Sequence, residues 1–178
     1  MIGPGQDATR TTYSSSPTKW GRSGWGPLRQ LALVLLLTLT ACSADMTGID
    51  FAKLVRPSTP NTYLVCPPDR CAVNPDAESP AIALSPNQLY DLIRLKLSEQ
   101  PRTILVSAEP ERRRLVLVQR SRIFRFPDTI TIQVFDLPDG GSTLAIYSAS
   151  KYGRSDLGVN KARVTEWLAL IQKAAEAI

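Results

Sequence analysis

The stretch Tyr147-Ser-Ala-Ser-Lys-Tyr-Gly-Arg-Ser-Asp-Leu-Gly-Val-Asn-Lys-Ala-Arg163 holds the densest supply of chemistry-bearing side chains in this 178-residue chain. Ser150, Lys151, Arg154, Ser155, Asp156, Asn160 and Arg163 form its candidate ligand set. Cations here, next to the free amides at the start of a helix, suit a carboxylate or a phosphate. Lys161 and Arg163 sit in a first helical turn, where the helix dipole disfavours positive charge, and with Lys151 and Arg154 they would complete such a site. A structural account uses the same residues. Gly153 and Gly158 supply unusual backbone angles, Asp156 accepts loop amides or pairs with Arg154 or Arg163, and Asn160 caps the helix. Caps and ion pairs are commoner than ligand sites, so the structural account is preferred and the anion site is its alternative.

Catalysis finds little to work with. The chain has no histidine, which removes Ser-His-Asp and Cys-His nucleophile systems, imidazole metal ligands and a histidine proton switch. A Ser155/Lys151 pair is the one nucleophilic arrangement left, and its spacing fixes no geometry. Phe126-Pro-Asp128 offers a lone carboxylate, whereas acid–base work needs two groups in mutual reach. The expectation is a protein that is not an enzyme, with no catalytic residues, no metal and no cofactor. Arg112-Arg-Arg114, flanked by Glu109 and Glu111, reads as a solvated hairpin turn. Anionic headgroups near such a cluster would contribute about 1 kcal/mol per residue. Cys66 and Cys71 enclose Pro67-Pro-Asp-Arg70, and in an exported protein a local disulfide is the leading reading. Too few further ligands accompany them for a metal site, and the spacing is not that of thiol oxidoreductases.

The elements that position these residues follow from pattern. Ser85 can cap a helix, Pro86 fits its first position and Gln88 completes a capping box. Leu89, Leu92, Ile93 and Leu97 then recur at helical spacing until Pro101. Strands are expected at 103–107, 115–119, 129–135 and 143–150, the third with Ile130, Ile132 and Val134 inward and Thr131 and Gln133 outward. Their short connections require antiparallel neighbours. A last helix from about Asn160 carries Val164, Trp167, Leu168, Ile171, Ala175 and Ile178 along one face. The implied fold class is α+β: a two-layer sandwich, an antiparallel sheet of four to five strands with two helices on one face.

Ahead of this domain lies a different kind of sequence. Residues 1–27 are rich in Gly, Ser, Thr and Pro, and Leu31–Thr40 is an uncharged apolar run preceded by Arg29. Ten residues are too few to cross a bilayer, which takes about 20 helical residues, but they suit a signal-peptide core. Leu39-Thr-Ala-Cys42 resembles the lipobox of bacterial lipoproteins, which implies lipidation of Cys42 after cleavage. Several acyl chains on one cysteine would anchor the protein stably. The expected organisation is an extension with lipoprotein signal peptide (1–41), a lipidated tether (42–60) and one α+β domain (61–178). Ser43 after the cysteine favours the outer membrane, facing the periplasm, if the source is Gram-negative. Cleavage removes four of the 21 basic residues and one of the 16 acidic ones, lowering the formal charge from +5 to +2. Nucleic acid is therefore not an expected partner.

Ser148-Ala-Ser150, Gly153, Ser155-Asp-Leu-Gly-Val-Asn160 and Arg163 resemble the C-terminal signature of the family called domain of unknown function 1499, close to R-S-x-S-R-x-G-x-S-D-x-G-x-N-x-x-R. Phe126-Pro-Asp128 is similar to that family's phenylalanine–aspartate step, and the likeness runs from about Asn61 to Ile171. Tyr147 and Lys151 stand where the family usually has arginine. The resemblance implies one compact domain in an envelope protein and assigns no reaction. The expected function is that of a lipid-anchored bacterial envelope lipoprotein, a noncatalytic interaction or structural module that contacts an envelope protein or the membrane. The alternative is a binding protein for a small anionic ligand at the 150–163 loop.

Overall fold

A computed structural model of the chain describes residues 48–178; the expected signal peptide, Cys42 and the first part of the tether lie outside them. The Ser85 side chain accepts from the Gln88 amide while the Gln88 side chain accepts from the Ser85 amide. This reciprocal cap, with Pro86 behind it, starts helix α1 (Pro86–Ser98), whose Leu89, Tyr90, Leu92, Ile93 and Leu97 are buried. A second helix, α2 (Val159–Ala175), buries Val164, Trp167 and Ile171. Leu168 and Ala175 are only half-buried and Ile178 is exposed, because the helix ends before its last expected contact is reached.

Six strands form one sheet: β1 (Thr62–Cys66), β2 (Ala77–Glu78), β3 (Thr103–Glu109), β4 (Arg114–Arg120), β5 (Pro127–Asp136) and β6 (Ser142–Ser150). Their order is β2-β1-β6-β5-β4-β3. The class is α+β, as expected, but the sheet is larger and is mixed. β3 to β6 form the expected antiparallel meander, β1 joins it antiparallel to β6, and two-residue β2 pairs in parallel with β1. The two added strands lie in a stretch crowded with Pro, Asn and Cys, where periodicity gives no strand signal.

Both helices lie on one face, over Val65, Leu115, Leu117, Ile130, Ile132, Val134, Leu144 and Ile146. The other face is covered in part. Phe51 and Leu54 pack there with Leu64, Cys66, Ala145 and Tyr147. Cys66 and Cys71 are disulfide-bonded with Cα atoms 6.4 Å apart, and their loop places Arg70 over the Phe135 ring. Thr131, expected to face outward into solvent, is buried beneath this cover. The backbone comes so close to the sheet at Gly48 that an added Cβ would stand 2.7 Å from the Val116 side chain.

Residues 48–60 therefore do not act wholly as a spacer. Asp50 caps a short 3-10 turn, Phe51–Lys53, and Arg56 bonds Asp76 at 2.8 Å and the Thr62 hydroxyl at 3.2 Å. The expected domain boundary at 61 falls inside the packed body.

The Arg112-Arg-Arg114 cluster also departs from expectation, since Arg112 alone of the three is exposed. Arg113, left-handed at φ 47°, pairs with Asp136. Arg114 is buried; it bonds both Glu109 carboxylate oxygens, at 2.7 and 2.9 Å, and the Ile49 carbonyl at 3.1 Å. The hydrogen bond from Arg114 holds the Glu109 carboxyl below its ordinary value of 4.5, against the opposing effect of burial. A carboxyl whose pKa is lowered by folding contributes stability that is complete above its unfolded value and is lost as pH falls through its folded one. Glu109→Gln should therefore flatten the decline in stability below about pH 4.5, read by denaturant unfolding across the acid range.

Candidate functional site

The helix-facing residues of the sheet are apolar along most of their length and turn polar at one end. Gln119, Asp128, Ser148 and Ser150 follow Leu117, Ile130 and Ile146 on the same strand face, and the register sets Asp128 between Gln119 and Ser150. The stripe of α2 changes in the same way, from Trp167 and Val164 to Arg163 and Asn160. Helix and sheet thus bring polar residue onto polar residue.

Arg163 is the hub. Its Nη2 donates to Asp128 Oδ2 at 2.5 Å, Nε to Gln119 Oε1 at 2.6 Å, and Nη1 to both Asn160 Oδ1 at 2.7 Å and Ser148 Oγ at 2.8 Å. The Ser148 hydroxyl donates to Asn160 Oδ1 at 2.6 Å. Asn160 Nδ2 donates to the Asn61 carbonyl at 2.9 Å and to Ser150 Oγ at 3.0 Å. Asn61 in turn bonds the Gly153 carbonyl at 3.0 Å. Asp128 and Arg163 side chains are only 6% and 4% exposed, so this ion pair is desolvated and depends on the bonds around it.

The loop before α2 is held from its backbone. Asp156 accepts from the Gly158 amide at 3.1 Å and from the Asn160 amide at 2.7 Å, and Ser155 Oγ accepts from Leu157 N at 3.3 Å. Gly158 occupies the cap position at φ +83°, a left-handed angle that glycine adopts without a Cβ penalty. Asn160, expected as the cap, is instead inside the first turn and fully buried, and Asp156 takes the capping task. Asp156 pairs with neither Arg154 nor Arg163; the carboxylate that offsets the cation on the first turn is Asp128.

The seven candidate residues thus divide. Ser150, Asn160 and Arg163 join in the buried network and Asp156 holds the loop backbone, while Lys151, Arg154 and Ser155 are exposed and outside the network. Among the described residues, no hydrogen bond or ion pair joins Ser155 to Lys151. Asp128, Gln119 and Asn61 were not candidates. The clue to Asp128 was a carboxylate without a task and an arginine placed against a helix dipole; pairing them by elimination would have found the bond.

Sequence reasoning also passed over an exposed surface at this end of the sheet. The β4–β5 loop presents Ile123, Phe124 and Phe126, and the β6–α2 loop presents Tyr152 and Leu157. Phe124 stacks on Phe126 at 5.5 Å between ring centres, and Tyr152 tilts against Phe126 at 5.7 Å, so the two loops make one aromatic cluster. Arg122, Arg125, Lys151 and Arg154 are exposed on the same loops.

A mixed sheet with two helices on one face and a buried Asp–Arg lock at one end defines an α+β domain closed by polar contacts between its last strand, loop and helix. The chain belongs to the family described as protein of unknown function (DUF1499), whose model matches residues 54–171. That range holds the whole sheet and all but the last turn of α2, and it begins at buried Leu54 rather than at Asn61. Comparison with curated proteins gives no match. The residues that carried the resemblance, from Ser148 to Arg163, are largely those of the lock and its loop. Of the two departures from the family pattern, Lys151 is exposed and Tyr147 is buried on the sheet face opposite the helices.

Proposed function

We propose that this protein is a lipid-anchored, noncatalytic envelope protein whose domain lays its 121–126 and 151–158 loops on an anionic membrane surface. The carrying observation is the aromatic cluster of Phe124, Phe126 and Tyr152, exposed on two adjoining loops that also bear Arg122, Arg125, Lys151 and Arg154. Aromatic rings suit the interfacial region of a bilayer, and cations beside them add attraction to anionic headgroups. Exposed large apolar groups gathered in one place, not scattered singly, mark a contact surface. The Asp128–Arg163 lock supports this reading by fixing the base of both loops, Asp128 just after one and Arg163 just after the other. The anchor rests on the lipobox-like Leu39–Cys42. A proline-rich stretch, Arg56–Asn61, leads into β1 at the same end of the sheet.

The anchor and the surface separate in experiment. The full chain should incorporate labelled fatty acid, and Cys42→Ala should abolish it. A chain starting at Ala44 should cosediment with vesicles of phosphatidylcholine and phosphatidylglycerol but hardly with phosphatidylcholine alone. Phe124→Ser with Phe126→Ser should weaken that binding about tenfold or more, given about 1.5–3 kcal/mol for burying a phenylalanine side chain. Binding that ignores both the anionic lipid and the phenylalanines would refute the membrane surface.

A further inference from the structure

Among the described residues, those other than glycine with a positive φ are Asp69, Arg102, Arg113, Arg125 and Leu157. Four are charged; Leu157, at φ 53°, is the apolar one. A left-handed angle is uncommon outside glycine and is an outlier for a bulky residue, whose Cβ crowds the backbone. The same loop uses glycine for this purpose at Gly153 and Gly158, with φ 92° and 83°. Leu157 is also 93% exposed, more than any other large apolar residue described. Its backbone is fixed from both sides. The Leu157 amide donates to Ser155 Oγ at 3.3 Å, and the Gly158 and Asn160 amides donate to the Asp156 carboxylate at 3.1 and 2.7 Å. The leucine thus carries two costs, a strained backbone and a hydrated side chain, and no packing within the domain offsets them.

The composition of its loop indicates what would. Val159, two residues on, is 46% exposed. Residues 151–161 hold three exposed cations, Lys151, Arg154 and Lys161, against a single carboxylate, Asp156, which the loop amides already occupy. An apolar tip on a cationic loop matches a bilayer with anionic headgroups, hydrocarbon for the leucine and phosphates for the cations. Tyr152 joins this loop to the aromatic rings of its neighbour. We infer that Leu157 is the insertion point of the domain, a leucine held left-handed by the Ser155–Asn160 turn so that it enters the acyl boundary of an anionic bilayer. The inference rests on the membrane reading of the two loops and names the residue that penetrates.

The test uses the full chain carrying Cys42→Ala. Cys66 and Cys71 are disulfide-bonded, so a nitroxide label then attaches only at a cysteine introduced by Leu157→Cys, Phe124→Cys or Ile178→Cys. Each labelled protein is mixed with vesicles of phosphatidylcholine and phosphatidylglycerol, and spin relaxation reads exposure to a water-soluble nickel chelate and to oxygen. The label at 157 should become shielded from the chelate and open to oxygen, at least as strongly as the label at 124, while the label at 178, beyond the far end of α2, stays in water. The vesicles hold no other protein, so shielding there identifies the bilayer as the occupant. Leu157→Asn accepts the left-handed angle, so its urea unfolding midpoint should hold or rise. Its binding to the same vesicles should weaken about tenfold, because the side chain no longer gains by leaving water. A label at 157 that stays open to the chelate while the label at 124 is shielded overturns the insertion point and leaves the membrane surface standing. Labels that stay open at both positions overturn both. Loss of stability or unchanged vesicle binding in Leu157→Asn also overturns the insertion point.

Discussion

Replacing Asp128 with alanine should cost about 3–5 kcal/mol of folding stability, the range for removing one member of a buried ion pair. The loss is large because Arg163 stays behind: its guanidinium is 4% exposed and cannot turn to water without breaking its bonds to Gln119, Ser148 and Asn160. Asp128→Asn should cost less, because the amide oxygen still accepts one hydrogen bond although the charge is uncompensated. Lys151→Ala and Arg154→Ala, exposed and outside the network, should change stability by no more than about 0.5 kcal/mol. Equilibrium unfolding in urea checks all four variants. A structural lock concentrates the losses at Asp128 and Arg163 and spares Lys151 and Arg154. An Asp128→Ala loss below about 1 kcal/mol would mean that the pair is not the lock its geometry describes.

The lock also explains which parts of the fold were legible from the residues alone. Helix α1 was readable because Ser85, Pro86 and Gln88 act within one turn, and the meander because Ile130, Ile132 and Val134 alternate cleanly. Local rules decide such elements. Strand β1 was not readable, because Thr62–Cys66 lies among prolines and gains its place by pairing with β6, more than 80 residues later. The same distance hid the polar contacts. Asn160 looks like a cap when only its neighbours are considered, and becomes a buried hub only when Ser148 and Asn61 arrive from other elements. The motif from Ser150 to Arg163 was found, but the direction of its side chains depends on the sheet beneath. The aromatic surface was missed for another reason: Ile123, Phe124 and Phe126 flank arginines in a short irregular stretch with no period to draw notice.

Phe51→Ala should destabilise the domain by about 3–5 kcal/mol, the usual cost of truncating a fully buried phenylalanine. A flexible tether predicts no effect at all, so this single change decides where the folded body begins. Phe51 is 1% exposed and belongs to a cluster with Leu54, Leu64, Cys66, Ala145 and Tyr147 on the sheet face away from the helices. Antiparallel sheets often leave one face to water, and Leu64, Ala145 and Tyr147 would lie on that face here without the segment. Its closeness to the sheet is independently visible at Gly48, where a methyl group would stand 3.0 Å from Thr131 Cγ2 and 2.7 Å from Val116 Cγ2. Gly48→Ala should therefore also destabilise, though less, since the segment can lift locally. Val55→Ala supplies the control: it lies four residues from Phe51, is 84% exposed, and should be silent. Urea unfolding of the three variants gives the test, and a silent Phe51→Ala would return residues 48–60 to the role of a spacer. A large loss would place the start of the folded body no later than Phe51.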